Sequence, residues 1–216
     1  MSALIKLAVI GQKGGSGKTP IALNMAVLAA ANGWKPVVLD LDHDQASASN
    51  WGDRRGDREP LVSVVPCLPA RLKQTLAAIP EQGFDLAILD TPGRQDRLSV
   101  EAAEGAAVVL VPCRPILADT DTLPTVKRMV EVAGNPTTLA VITVAPTQGT
   151  RHVDAADLIR AAGFEVAPVV LFRREVYGDS YNIGQSPTEL EPRGKAALEL
   201  IGLYEYISRF LQANRT

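Results

Sequence analysis

The sequence predicts an α/β fold, a doubly wound and mostly parallel sheet flanked by helices. Two observations carry that prediction. Apolar runs of strand character alternate with helical patterns along the chain, as expected where each strand is followed by a crossover helix. The first run then breaks into a loop with three glycines that leads straight into a helical pattern, the strand, loop, helix order of a phosphate cradle.

Taken in order, the predicted strands are Ile5–Ile10, Val37–Leu41, Leu61–Val65, Leu86–Leu89, Ala107–Val111, Leu139–Val144 and Val166–Leu171. None shows strict alternation of apolar and polar residues, as expected for strands covered on both faces. Helices are predicted at about Lys18–Ala31, Ala70–Ala78, Ser99–Ala103, Thr120–Val132, Val153–Ala161 and Lys195–Gln212. Gly33, Gly83, Gly134 and Gly163 lie just past most of their ends, where a left-handed cap is wanted. No repeat, linker or low-complexity stretch interrupts the pattern, so residues 1–216 read as a single domain.

Composition narrows the function classes. The chain has 216 residues, 46% hydrophobic, with a formal net charge of −2, which suits one sizeable core. No stretch approaches the roughly 18 uninterrupted apolar residues of a membrane span, and the N-terminus lacks a signal-peptide pattern, so a cytoplasmic protein is expected. Cys67 and Cys113 are far apart in apolar contexts and are expected to be buried reduced thiols rather than a disulfide or metal pair.

Three motifs carry chemistry. In Gln12-Lys13-Gly14-Gly15-Ser16-Gly17-Lys18-Thr19-Pro20, glycines let successive backbone N–H groups turn inward, and the following helix adds the positive end of its dipole. Lys18 is placed to reach terminal phosphates of a triphosphate, and Thr19 to offer its hydroxyl to Mg2+. The second motif, Asp40-Leu41-Asp42-His43-Asp44-Gln45, sets carboxylates at the end of a parallel strand, over the crevice where such sheets bind ligands. The third, Phe84–Gly93, is an apolar strand ending in Asp90 and a proline-glycine turn. In P-loop enzymes an acid there holds Mg2+ through its water shell, and the glycine can donate its N–H to the γ-phosphate. Asp90 and Gly93 fit those roles; Arg94 and Arg97 read as solvated charges.

The first motif departs from G-x-x-x-x-G-K-[ST], with Gln12 in place of the first glycine and an extra lysine, Lys13. This resembles the deviant Walker A motif of the ParA/MinD family of ATPases, in which the extra lysine reaches the partner's nucleotide across a dimer. The second motif resembles that family's D-x-D-P-Q. By resemblance Asp40 joins Thr19 and Asp90 at the metal, and Asp42 orients the attacking water. His43-Asp44 stands where one proline is usual, which leaves Asp44 as the alternative. Asp42 is favoured because its distance from Lys13 needs no insertion. Pro20 stands where the family has Thr or Ser and removes a donor toward the α-phosphate, which implies weaker nucleotide binding and slow hydrolysis.

The resemblance further implies an ATP-bound homodimer, ATP-dependent non-specific binding to duplex DNA at the nucleoid, and a ParB-like or other cargo adaptor that stimulates hydrolysis. Arg151, Arg173, Arg174, Arg193, Lys195 and Arg209 are the candidate DNA contacts. The strand and loop Val109–Pro115, followed by Asp119–Leu123, resemble those that pack against the partner, although Asp119 or Thr120 also makes sense as a helix N-cap. The last helix carries Leu198, Ile201, Leu203, Tyr204, Ile207 and Leu211. Glu199 and Glu205 dilute any basic face, so it is expected to dock on the core rather than bind a membrane. The rivals are a small-molecule ATP-dependent ligase on the same scaffold and a MinD-like membrane cycler.

Overall fold

The computed structural model describes residues 4–93 and 96–215. Among the described residues, seven strands form one all-parallel sheet in the order β3-β2-β4-β1-β5-β6-β7. They are β1 Ile5–Val9, β2 Pro36–Asp40, β3 Ser63–Pro66, β4 Leu86–Asp90, β5 Val108–Cys113, β6 Thr138–Ile142 and β7 Glu165–Val166. The helices are α1 Lys18–Ala31, α2 Ser47–Arg55, α3 Leu72–Ala78, α4 Asp96–Ala103, α5 Leu117–Thr120, α6 Leu123–Val132, α7 Arg151–Ala161, α8 Val176–Asn182, α9 Pro187–Leu190 and α10 Lys195–Ala213.

The continuous apolar runs become strands because alternate residues meet different helical layers. Leu7, Val9, Val38, Ile88, Leu110 and Val141 face one core with α1 and α10, whereas Ala8, Ile10, Leu39, Leu89, Val109 and Ile142 face a second with α4 and α6. Helix α1 is buried on nearly every side, from Ile21 through Ala29, so it is apolar all round rather than striped. Its predicted limits match, and Gly33, Gly83, Gly134 and Gly163 take the left-handed conformation expected of them.

The registers bring the motifs together. Val9 and Asp40 both pair with Asp90, so β1, β2 and β4 end at one level. The loops leaving those strands therefore share the carboxyl edge of the sheet.

Several elements differ from expectation. The strand predicted over Val166–Leu171 pairs only at Glu165–Val166, with one further bridge from Ala145 to Phe172. Helices α2, α8 and α9 fall in stretches where no helix is predicted. In α10, Leu200, Leu203, Tyr204, Ile207 and Leu211 are buried, whereas Leu198 is 60% exposed and lies off the docked stripe. Cys67 and Cys113 are both buried and free, and burial pushes the Cys113 thiol up to about 12. Among the described residues no helix is long and apolar enough to cross a membrane.

Candidate functional site

A cleft of about 470 Å³ lies where β1, β2 and β4 end. Gly14, Gly15, Gly17, Lys18, Thr19 and Pro20 line it from the loop, Asp42 and Gln45 from the second motif, and Thr91 and Gly93 from the third. Gly15 and Gly17 have φ of +70 and +95, a conformation that turns the loop back on itself and that side chains rarely adopt. Gly93 is needed for a different reason. A Cβ there would stand 3.2 Å from the Gly14 nitrogen, tighter than ordinary contact, so a side chain would require the loop or the turn to give by a few tenths of an ångström.

Lys18 is 7% exposed, and its ammonium donates to the Lys13 carbonyl at 2.8 Å. Burial lowers its pKa, while the carboxylates of Asp90, Asp42 and Asp119 act to keep it charged. Ser16 donates to the same carbonyl at 3.2 Å, which holds the loop in a tight ring. Lys13 is not among the residues that line the cleft; it borders a small separate recess with Asp119 and Thr122.

Among the described residues, both carboxylate oxygens of Asp90 are buried without a hydrogen-bond partner. The Thr19 hydroxyl is near enough to favour the charged form, yet it completes no hydrogen bond with it. Burial dominates and raises the pKa to about 7. Two orphaned oxygens beside a threonine hydroxyl and a buried lysine are a donor set suited to a hydrated divalent cation between acid and phosphate.

The two acids of the second motif part company. Asp40 was expected at the metal, but its Oδ2 accepts from both the backbone N–H and the hydroxyl of Ser49 at 2.8 Å. Its Oδ1 accepts from the Asp42 N–H at 3.1 Å. Those bonds fold the loop and start α2, so the carboxylate works inside the protein. Asp42 lines the cleft, whereas Asp44 has an 80% exposed side chain beside His43 and does not. The geometry thus favours Asp42 over Asp44. Arg97 is solvated and pairs with Glu101, as expected; Arg94 lies outside the described residues.

Asp119 and Thr120 were weighed as N-caps, and neither serves as one: both lie within α5, and the Asp119 carboxylate binds Arg114. Arg174, a candidate DNA contact, is ion-paired with Glu199 and stacked over Phe172. Arg151, Arg173, Arg193, Lys195 and Arg209 are exposed.

Much of the far wall was not legible from motifs. Trp51, Val144, Tyr177, Tyr181 and Gln185 complete the cleft. Trp51 donates to the Gln185 carbonyl at 3.1 Å and Tyr181 to the Ser47 carbonyl at 2.7 Å, so α2 and α8 brace one another. Arg55, fully buried, forks onto Glu189 at 2.9 and 3.0 Å and also donates to the carbonyls of Gly184 and Pro60. Ser186 caps α9 and donates to Asn24 of α1 at 2.6 Å. The signal that could have revealed this wall is Ser186-Pro187-Thr188-Glu189, a capping box with proline at the first helical position. An adjoining apolar recess of about 130 Å³ is bounded by Pro20, Thr143, Val144, Phe172 and Tyr177. Val144 holds φ +51, an outlier for a β-branched residue, of a kind that clusters at ligand sites.

Comparison with known proteins agrees with this geometry. The family model described as the CobQ/CobB/MinD/ParA nucleotide binding domain matches residues 7–188. The chain is 31% identical over 159 residues to the maintenance of carboxysome distribution protein A of Gloeobacter kilaueensis, covering 73% of this chain and 71% of that one. It is 31% identical over 133 residues to the chromosome-partitioning ATPase Soj of Thermus thermophilus, covering 50% of this chain and 53% of Soj. Among solved structures, the ATP complex of McdA from Cyanothece superposes with a TM-score of 0.77 at 16% identity, covering 98% of each chain. MinD from Pyrococcus horikoshii with Mg-ADP gives 0.76 at 15% identity, again covering 98% of each chain. The chain belongs to the CobQ/CobB/MinD/ParA nucleotide-binding family, with the all-parallel fold of the MinD/ParA P-loop ATPases.

Proposed function

We propose that this protein is a ParA-type ATPase that dimerises with ATP, binds duplex DNA without sequence preference, and positions a cargo. The observation that carries the reading is the division of labour between two lysines. Lys18 lies inside the cradle with its ammonium turned into the loop, whereas the Lys13 side chain lies outside the cleft its own loop forms. A lysine kept out of its own site is available to a nucleotide held by a second subunit.

Within one subunit, the loop N–H groups from Gly14 to Thr19 and Lys18 would hold the phosphates. Magnesium would be held by the Thr19 hydroxyl and, through water, by Asp90, and when bound it supplies charge neutralisation at the β- and γ-phosphates. Asp42, on the cleft wall, would orient the attacking water. The Gly93 N–H would sense the γ-phosphate, so that its loss frees the segment behind it. The apolar recess beside Val144 and Phe172 suits a flat base. Pro20 cannot donate to the α-phosphate, and turnover is accordingly slow.

Relatives with assigned roles are named for two different cargoes, carboxysomes and chromosomes. The reading is therefore cargo positioning through a ParB-like or other adaptor, with the protein at the nucleoid. Because the net charge is −2, DNA attraction must come from a local patch assembled on dimerisation. The test is retention of the Asp42→Ala variant, with ATP and magnesium, on two unrelated duplexes. Equal retention at low salt that disappears as salt rises is expected. No retention at any salt would favour a small-molecule ligase instead.

A further inference from the structure

The loop after β5 holds a cation on a fixed mount. Asp119 is buried, and its carboxylate accepts three hydrogen bonds from Arg114 alone: the backbone N–H at 3.0 Å, Nε at 3.0 Å and Nη2 at 2.8 Å. A bidentate pair of this kind fixes the guanidinium plane, which a lysine could not match. The remaining nitrogen, Nη1, makes no hydrogen bond among the described residues. It lies 3.6 Å from where a Cβ on Gly15 would stand, and apart from Gly15 and its two chain neighbours no other described residue comes within 4 Å of that point.

Arg114 therefore lies against the phosphate loop at Gly15, two residues from Lys13. It does not line its own subunit's cleft, and its side chain remains 27% exposed. Asp119, its mount, borders the same recess as Lys13. Simple stapling of the loop to α5 accounts for Nε and Nη2. It does not account for the third nitrogen being turned to the loop and left unused.

We propose that Arg114 is a second cation acting across the dimer, with Nη1 working beside Lys13 on the phosphates of the nucleotide held by the partner, and with Asp119 as its positioning residue. This rests on the dimer reading above. A guanidinium is suited to it because it is always charged and keeps a free donor edge while its other edge is clamped.

The test pairs two readouts on Arg114→Gln, which can still donate to Asp119, and on Arg114→Lys, which keeps the charge without the fork. ADP affinity by calorimetry reports the cradle of one subunit; it should stay within about threefold of native. The ATP concentration that half-saturates the dimer, followed by light scattering, should rise about tenfold or more in Arg114→Gln, the size expected for one hydrogen bond to a charged group. Arg114→Lys should fall between the two and stands alone if the glutamine variant does not fold. A native-like dimer in either variant overturns the inference, as does a parallel loss of ADP affinity, which would mark a structural role only. With Lys13→Ala beside them, the failures separate. A native protein that never dimerises with ATP sinks the underlying reading and this inference together, whereas a dimer lost in Lys13→Ala and intact in Arg114→Gln sinks this inference alone.

Discussion

Replacing Asp90 with asparagine should make the ligand-free protein more stable at neutral pH while weakening its binding of magnesium nucleotides. The carboxylate is fully buried, neither oxygen has a hydrogen-bond partner among the described residues, and burial lifts its pKa from 3.8 to about 7. The folded pKa lies above the unfolded value, so the folded chain holds the proton over a wider range. The stability linked to that proton is fully present below about pH 3.8, declines as pH rises, and is lost above about pH 7. At 1.36 kcal/mol per unit, the charged form costs the fold on the order of 4 kcal/mol at pH 8. Asparagine of nearly the same shape carries no such charge, although its amide remains buried. Urea unfolding of both proteins without nucleotide, from pH 5 to pH 8.5, should therefore show a gap in favour of Asp90→Asn that widens up to about pH 7 and then levels off. Calorimetry at pH 8 should show magnesium-dependent ADP binding lost in the variant. A gap that does not change with pH, or a native protein more stable than Asp90→Asn at pH 8, would refute the reasoning.

Other perturbations follow from the same geometry. Pro20→Thr restores an N–H and a hydroxyl toward the α-phosphate, so calorimetric titration should show roughly ten- to a hundredfold tighter nucleotide binding, the worth of one hydrogen bond to a charged oxygen. Equal binding would mean that the loop already compensates. Glu189→Ala leaves the Arg55 charge buried and unpaired, and should cost about 3–5 kcal/mol in urea unfolding. Arg55→Met combined with Glu189→Leu should cost clearly less; an equal loss would show that packing, rather than the charge, matters there. In the DNA retention assay, charge removal at Arg173 or Lys195 should reduce the salt dependence, whereas Arg174→Gln should act mainly by loosening α10, because Arg174 is committed to Glu199.

The parts of the fold that sequence made legible are those where local chemistry and tertiary need agree. Helix α1 begins at Lys18 and ends at Ala31 as predicted, because a glycine loop must precede it and Gly33 must follow it. Asp90 and Gly93 stood out because a strand ending in an acid and a tight turn leaves few alternatives. Asp40 was hard to read because an acid at a strand end can serve a ligand or cap the next turn with equal ease; in the structure its carboxylate accepts from the Ser49 N–H and hydroxyl. Helix α2 was missed for a related reason. Ser47-Ala48-Ser49-Asn50-Trp51-Gly52-Asp53 is weak in helix propensity, and buried Trp51 and Arg55 hold it from outside. Gly52 is required there because a Cβ would stand 2.8 Å from Val64. The far wall from Tyr177 to Glu189 depends on pairings more than 100 residues apart, such as Trp51 with Gln185, which no local pattern encodes.

The central claim is that ATP joins two copies of this chain through Lys13. Its most direct test is the molar mass of the native protein by light scattering with magnesium and either ATP or ADP, with Lys13→Ala measured alongside. The account predicts about 23 kDa with ADP and twice that with ATP, and a Lys13→Ala protein that binds ATP yet stays at the monomer mass. A native protein of one mass in both nucleotides, or a Lys13→Ala variant that dimerises as the native does, would contradict it.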